Sequence, residues 1–184
     1  MSLDHSKSYI FTIRDILSSQ ECVEFIEKID RENPKIAPIN TAQGSRLKTD
    51  IRNNERIIFD DKSTAQKLLQ RIRGKVPNEI HNSRLNGVNE RFRGYRYKPG
   101  MRFAPHADGA FIRNEKERSY YTFLIYLNEG FEGGNTTFIV EPEISIKPET
   151  GLALFFQHPI VHEGEIVTRD VKYVLRSDVM YSCD

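Results

Sequence analysis

Residues 119–140 read SYYTFLIYLNEGFEGGNTTFIV: a run of β-branched and aromatic side chains, a glycine-rich break, then a second such run. That is a strand–turn–strand pattern, because branched and aromatic side chains suit a pleated surface while glycine supplies turn conformations. The texture continues on both sides. Upstream, RFRGYRY (91–97) is closed by Pro99-Gly100. Downstream come ISI (144–146), LALFF (152–156), HEGEIV (162–167) and KYVLRSDVMY (172–181), separated by Pro142, Pro148, Gly151 and Thr168-Arg169-Asp170. About seven or eight short strands at this spacing predict an antiparallel sandwich or barrel.

The first half is different. YIFTI (9–13) and RIIFD (56–60) read as strands. Ser18 or Ser19 begins a helix to about residue 31, with Cys22, Phe25, Ile26 and Ile29 at helical spacing; DKST opens a second over about 61–73, burying Ala65, Leu68, Leu69 and Ile72. Residues 35–54 are polar and irregular, and 77–90 (PNEIHNSRLNGVNE) are turn-rich. The expected fold class is α+β, mainly β: one domain over 1–184, in which helices and strands of 1–90 support a β-rich core at 91–181.

The 184 residues carry 27 Lys+Arg against 26 Asp+Glu, a formal charge of +1, so the chain is neither a polycation nor an acidic tail. No apolar run approaches the ~18 residues of a membrane span. The opening MSLDHSKSYIF lacks a charged-then-apolar leader. Two separated cysteines, Cys22 and Cys183, make neither a disulfide framework nor a thiolate metal site. A reducing, cytoplasmic setting is expected.

Among five histidines, His106-Ala107-Asp108 followed by a distant His162 is the informative group; His5, His81 and His158 fall outside it. Side chains at i and i+2 of a strand share a face, so His106 and Asp108 can converge on one ion. A third ligand from a distant strand completes a two-histidine, one-carboxylate set. Such a set leaves positions open on a six-coordinate metal and suits non-haem Fe(II); zinc more often takes a fourth protein ligand or activates a water.

The stretches YRYKPGMRFAPHADG (95–109), SYYTFLIYLNEGFEGGNTTF (119–138), KPETGLALFFQHPIVHEGEIV (147–167) and KYVLRSDVMY (172–181) together resemble the catalytic core of the prolyl-4-hydroxylase-like Fe(II)/2-oxoglutarate dioxygenases. The resemblance covers roughly 92–181. It rests on order and spacing: Tyr before Pro-Gly, His-x-Asp, a YLN strand end, Gly-Gly-x-Thr, Pro-x-x-Gly, the distal His and a basic residue about ten positions later. It implies a double-stranded β-helix (jelly roll). It also implies iron held by His106, Asp108 and His162, 2-oxoglutarate chelating that iron, and Tyr97 and Tyr126 hydrogen-bonding the co-substrate. By the same resemblance O₂ is consumed, succinate and CO₂ are released, a C–H bond is hydroxylated, and ascorbate serves as an accessory reductant. Asp at the middle ligand position argues for hydroxylation; a small residue there, as in related halogenases, would open a halide site.

The oxoacid's far carboxylate needs a cation, and the last strand offers Lys172 and Arg176, both with the parity of Val174 and Asp178. If a hairpin turns at Arg169-Asp170, Glu163 lies opposite Arg176 and Arg176 is level with the iron ligand. Lys172 then sits roughly 13 Å away at ~3.3 Å per residue, about the span of a five-carbon diacid plus an extended lysine. This register and the spacing of the resembled family favour Lys172, leaving Arg176 to pair with Asp178. Another register reverses the choice.

Substrate is less legible. Arg84, Arg91, Arg93, Arg96, Lys98 and Arg102 crowd 84–102 against Glu90, but near-neutral charge favours a solvated strand face over a nucleic-acid surface. The Arg-Asn-rich terminal motif of alkylated-base demethylases is missing as well. Asn53, Asn54 and Arg56 are candidate substrate contacts, and 109–118 and 129–134 are candidate loops over the site. A protein or peptide residue such as proline, or a free small molecule, is the expected substrate, with no membrane partner; the alternative is a cupin-like metal-binding protein without oxoacid chemistry.

Overall fold

The computed structural model describes residues 2–41 and 44–183; residues 42 and 43, inside the polar 35–54 stretch, lie outside them. The first half contains β1 (Ile10–Ile13), α1 (Ser19–Arg31), β2 (Lys35–Ile36), β3 (Ile39–Thr41), β4 (Gly44–Arg46), β5 (Glu55–Asp60), α2 (Lys62–Ile72), β6 (Glu79–Ile80) and β7 (Ser83–Val88). The second half contains β8 (Arg91–Tyr97), β9 (Phe103–His106), β10 (Glu117–Tyr126), β11 (Glu132–Gly133), β12 (Thr136–Phe138) and β13 (Ile144–Ile146). It closes with β14 (Ala153–Gln157), β15 (His162–Gly164), β16 (Val167–Arg169) and β17 (Lys172–Ser182).

A large antiparallel sheet runs β1-β14-β10-β17-β8-β5-β2, and β7 joins it on β17. A smaller sheet, β13-β12-β15-β9, faces it, with β11-β16 forming a short pair at one end. These two layers make the jelly roll. Alternation along the strands assigns each face. On β10, Phe123 and Ile125 join the cluster under the helices, whereas Leu124 and Tyr126 join the cluster between the sheets. On β17, Leu175 and Val179 go to the helices and Val174 to the interior. Both faces are buried, which is why SYYTFLIYL is apolar almost throughout instead of alternating.

The helices form where local chemistry predicts. Ser18 caps α1 in a reciprocal box with Glu21, and Asp61 accepts from Thr64 N–H at the start of α2. Each lays an apolar stripe, Cys22 and Ile29 or Ala65, Leu68 and Ile72, onto the sheet. Gly94 of β8 lies directly beneath α1: a Cβ there would come within 2.5 Å of the Ile29 side chain. Both cysteines are free, Cys22 buried and Cys183 exposed. Among the described residues no helix is long and apolar enough to cross a membrane.

Two expectations are corrected. The turn-rich 77–90 stretch contains β6 and β7, linked through His81 and Asn82, whose φ values of 47° and 60° make the tight turn. Its strand is fixed by pairing with β17 (Tyr181 opposite Leu85) and not by its own hydrophobicity. The hairpin at Arg169-Asp170 does not form. β15 pairs with β12 and β9, placing Glu163 opposite Thr137, while β16 pairs with β11 and β17 enters the other sheet. HEGEIV therefore splits in two. A turn signal marks where the chain reverses; it does not say which strand it then meets.

Candidate active site

β9 and β15 are adjacent antiparallel strands, and their register sets His106 directly opposite His162, with ring centroids 4.4 Å apart. Asp108 follows just beyond the end of β9. Its N–H donates to the His158 carbonyl at 3.0 Å, which holds it against the histidines. His106 Nε2 lies 3.8 Å from Asp108 Oδ1, and His162 Nε2 lies 3.8 Å from Asp108 Oδ2. The three side chains offer ligand atoms all within 4.8 Å of one another. That is the spacing of donors around a common ion.

The tautomers are set by partners that can only accept. His106 Nδ1 donates to the Ala104 carbonyl at 2.8 Å, and His162 Nδ1 to the Ile160 carbonyl at 3.0 Å. Both Nε2 lone pairs are thereby left facing inward, as in metal-binding imidazoles whose other ring nitrogen donates to a carbonyl. Burial, then His162, pushes His106 down to about 4, and burial also lowers His162, so both rings are neutral at physiological pH. Burial alone would raise Asp108. Arg176, with Nη2 3.1 Å from Oδ1, and the histidines overcome it and hold the carboxyl well below the usual range.

Behind Asp108 runs an ordered chain that the sequence did not single out. Thr122, inward-facing on β10, donates to Asp108 Oδ2 at 2.6 Å. Its oxygen must then accept from His158 Nδ1–H at 2.9 Å. His158 Nε2 in turn accepts from Ser119, 2.8 Å away, whose oxygen is occupied by the Phe111 N–H. Every member is satisfied with a neutral imidazole, and burial lowers His158 to about 4 accordingly. The only sequence cue was Thr122 sharing strand parity with Tyr126. Thr122→Val is expected to weaken divalent-metal binding about 10- to 100-fold, while Thr122→Ser retains it; metal titration of the folded variants checks both.

The triad stands at the junction of two cavities. A narrow inner shaft runs from it between the sheets past Tyr97 and Tyr126 to Lys172. Cross-strand pairing builds this shaft: Lys172 lies opposite Tyr97, and Val174 opposite Tyr126. Tyr126 donates to Thr136 at 2.7 Å, and Lys172 Nζ sits 5.1 Å from the Tyr97 ring and 5.6 Å from that of Tyr126. Lys172 is 3% exposed, and its ammonium donates to the Gly134 carbonyl at 2.5 Å. Burial pushes it down to about 7 against the weak pull of Glu165. No carboxylate pairs with it among the described residues. Gly134 is the second glycine of the Gly-Gly-x-Thr motif; Gly133 beside it has φ 72°, and a Cβ there would strike the Ile166 carbonyl at 2.3 Å.

Arg176 lies at the triad itself, opposite Leu124 and Arg93, bridging Asp108 and, at 3.6 Å, Asp178. Of the 49–59 candidates only Arg56 faces the site, lining the outer cavity. Asn53 instead latches the 100–102 loop, and Asn54 holds Arg52. Much of the basic 84–102 stretch is ion-paired along the strands: Arg91 with Asp60, Arg96 with Asp30 and Glu55, Lys98 with Glu55.

Residues 92–177 match the family described as the 2OG-Fe(II) oxygenase superfamily. No curated protein sequence matches the chain significantly. Among solved structures, a viral collagen prolyl hydroxylase from Paramecium Bursaria Chlorella virus-1 in its 2OG complex superposes with a TM-score of 0.65 at 22% identity, over 95% of this chain and 97% of that one. A Pseudomonas putida prolyl-4-hydroxylase gives 0.69 at 16%, over 97% and 95%. A prolyl hydroxylase from Trichoplax adhaerens, complexed with a hypoxia inducible factor peptide fragment, gives 0.68 at 16%, over 94% and 83%. At these identities the likeness is one of fold.

Proposed function

We propose, on the match of residues 92–177 to the 2OG-Fe(II) oxygenase superfamily, that this chain is a hydroxylase that couples oxidative decarboxylation of 2-oxoglutarate to hydroxylation of a substrate C–H bond. The carrying observation is the pairing of two features in one shaft: a convergent His106, Asp108, His162 set at one end and an unpaired, buried ammonium at the other.

The residues fit the groups this reading requires. His106 Nε2, His162 Nε2 and an Asp108 oxygen would hold Fe(II), as neutral imidazoles and an ionised carboxylate that need lose no proton to bind. Lys172 would meet the far carboxylate of 2-oxoglutarate, which removes the penalty of a lone buried cation. Bound there, iron and 2-oxoglutarate supply the oxidising chemistry, consuming O₂ and yielding succinate and CO₂; ascorbate would keep the metal reduced. The protein's own work is positional. Thr122 and Arg176 fix the Asp108 carboxylate, the backbone carbonyls of Ala104 and Ile160 fix the rings, and the aromatic walls of the shaft exclude water. The substrate C–H would approach from the outer cavity, where His106 and Asp108 are also reached.

Anaerobic addition of Fe(II) and then 2-oxoglutarate is expected to produce a visible charge-transfer band, and admission of air to release succinate. A cupin-like metal binder without an oxoacid site stays colourless at the second addition.

The Lys172 reading carries a pH signature. The amine is depressed to about 7 in the free site, and carboxylate binding favours its charged form. Above pH 7 binding must therefore take up a proton, so 2-oxoglutarate affinity falls by up to about tenfold per pH unit, and it is flat below pH 7. Lys172→Arg, always charged, is expected to abolish the slope even where it weakens binding. Calorimetry on the metal-loaded, anaerobic protein between pH 6 and 9 checks it.

A further inference from the structure

The outer cavity, about 460 Å³, reaches His106 and Asp108 of the triad and shares Phe103 and Arg176 with the shaft. Four guanidiniums line it, Arg52, Arg56, Arg93 and Arg176, against two carboxylates, Asp108 and Asp178. The two acids do not neutralise the four cations. Asp108 is engaged by Arg176 at 3.1 Å; Asp178 is shared loosely between Arg93 and Arg176, both at 3.6 Å. Arg52 and Arg56 have no carboxylate partner among the described residues.

Arg52 is the anomaly. It is 4% exposed, stacked at 4.2 Å on the Phe103 ring and at 4.9 Å on that of Tyr95, with Nε donating to Asn54 at 2.7 Å. Its Nη2 has no hydrogen-bond partner, and neither have Arg176 Nε and Arg93 Nη1, the latter 3.6 Å from Asp178 Oδ2, although all three atoms are buried; of the acceptors lining the cavity among the described residues, Asp178 Oδ1 also lacks one. Charged donors left without a hydrogen bond at such positions cost stability unless something accepts from them. Their collective field reaches the neighbouring phenol: burial pushes Tyr95 up, yet Arg52, Arg176 and Arg93 outweigh it and bring it down to about 8.

We infer that this cavity binds an anionic oxyacid group, carboxylate or phosphate, of the substrate to be hydroxylated. The planar fork of arginine matches such groups in a two-point grip. The volume suits a ligand of amino-acid to short-peptide size. Apolar Ile51 and Phe111 on the walls would flank the carbon skeleton, with His106 and Asp108 at the floor. An acid held on Arg52, Arg56 and Arg93 presents its neighbouring C–H bonds to the triad, whereas a neutral substrate leaves those donors unanswered. The inference rests on the oxygenase reading and narrows its substrate class.

The test is calorimetric, on protein loaded with Mn(II) and saturating 2-oxoglutarate under anaerobic conditions, so that the shaft is already filled. The probes are inorganic phosphate, N-acetylaspartate N-methylamide and its neutral isostere N-acetylasparagine N-methylamide. At least one anion is expected to bind about tenfold or more tightly than the neutral amide. Arg56→Gln and Arg93→Gln are each expected to remove about fivefold or more of that advantage, with 2-oxoglutarate affinity held within about twofold. A tighter phosphate assigns a phosphoryl group and a tighter aspartate derivative a carboxylate; either supports the inference. Equal binding of all three probes, or unchanged anion binding in the arginine variants, overturns it. Where Arg93→Gln does not fold, the half-buried Arg56 carries the comparison. If Mn(II)-loaded protein takes up no 2-oxoglutarate, the oxygenase reading fails by itself, and the same anion titration on the metal-free protein still decides the charge of the ligand.

Discussion

Asp108→Ala is expected to lower turnover by at least about 10³-fold, a loss of roughly 4 kcal/mol, and to weaken Fe(II) binding in parallel. Two effects combine. The substitution deletes the carboxylate that, alone among the described residues, faces both His106 and His162, and it strips Arg176 of its 3.1 Å partner, leaving a buried guanidinium with Asp178. Asp108→Asn keeps the shape and the Thr122 contact while removing the charge that Arg176 and the metal both need, so an equal loss there assigns the effect to the charge and not to the cavity left by Ala. Succinate release under saturating iron, with metal affinity measured on the same preparations, is the assay. Wild-type turnover in Asp108→Ala would show that the metal is held elsewhere.

Lys172→Ala is expected to raise the 2-oxoglutarate dissociation constant by roughly 30-fold to several thousand-fold, the effect of about 2–5 kcal/mol when one partner of a buried charge pair is truncated. The free protein should respond in the opposite sense. Lys172 is buried with a backbone carbonyl as its hydrogen-bond partner, so removing it relieves a desolvated cation, and the thermal midpoint without ligand should hold or rise. That divergence separates a binding role from general damage to the core. Arg176→Ala is expected to change 2-oxoglutarate affinity less, because its guanidinium sits on Asp108 and not at the far end of the shaft. The reverse order of effects would assign the oxoacid's far carboxylate to Arg176.

Strand spacing sets Arg176 level with the metal ligands and Lys172 deeper only if a hairpin joins residues 162 and 176, and that hairpin does not exist. The geometry puts Arg176 beside Asp108 for another reason: β17 crosses to the opposite sheet and runs between β8 and β10, bringing Arg176 over the triad from above. Parity along the strand survived because it is a local property of a pleat; the pairing partner did not, because it depends on the whole topology.

Local chemistry determined a good deal by itself: Ser18 or Ser19 and Asp61 as helix starts, the apolar stripes of both helices, the strand-rich second half, and the sharing of one face by Lys172, Val174 and Arg176. These follow from bonds and contacts within a few residues, so the sequence displays them directly. Only the tertiary structure decided that His106 and His162 are cross-strand neighbours, that Thr122 and His158 stand behind Asp108, and that Arg52 and Arg56 meet Arg93 and Arg176 around a single cavity. Those associations join segments tens of residues apart through sheet register and crossing. Many sequences share the same short-range signals, and what selects one pairing among them is the burial of both faces of β10 and β17 at once.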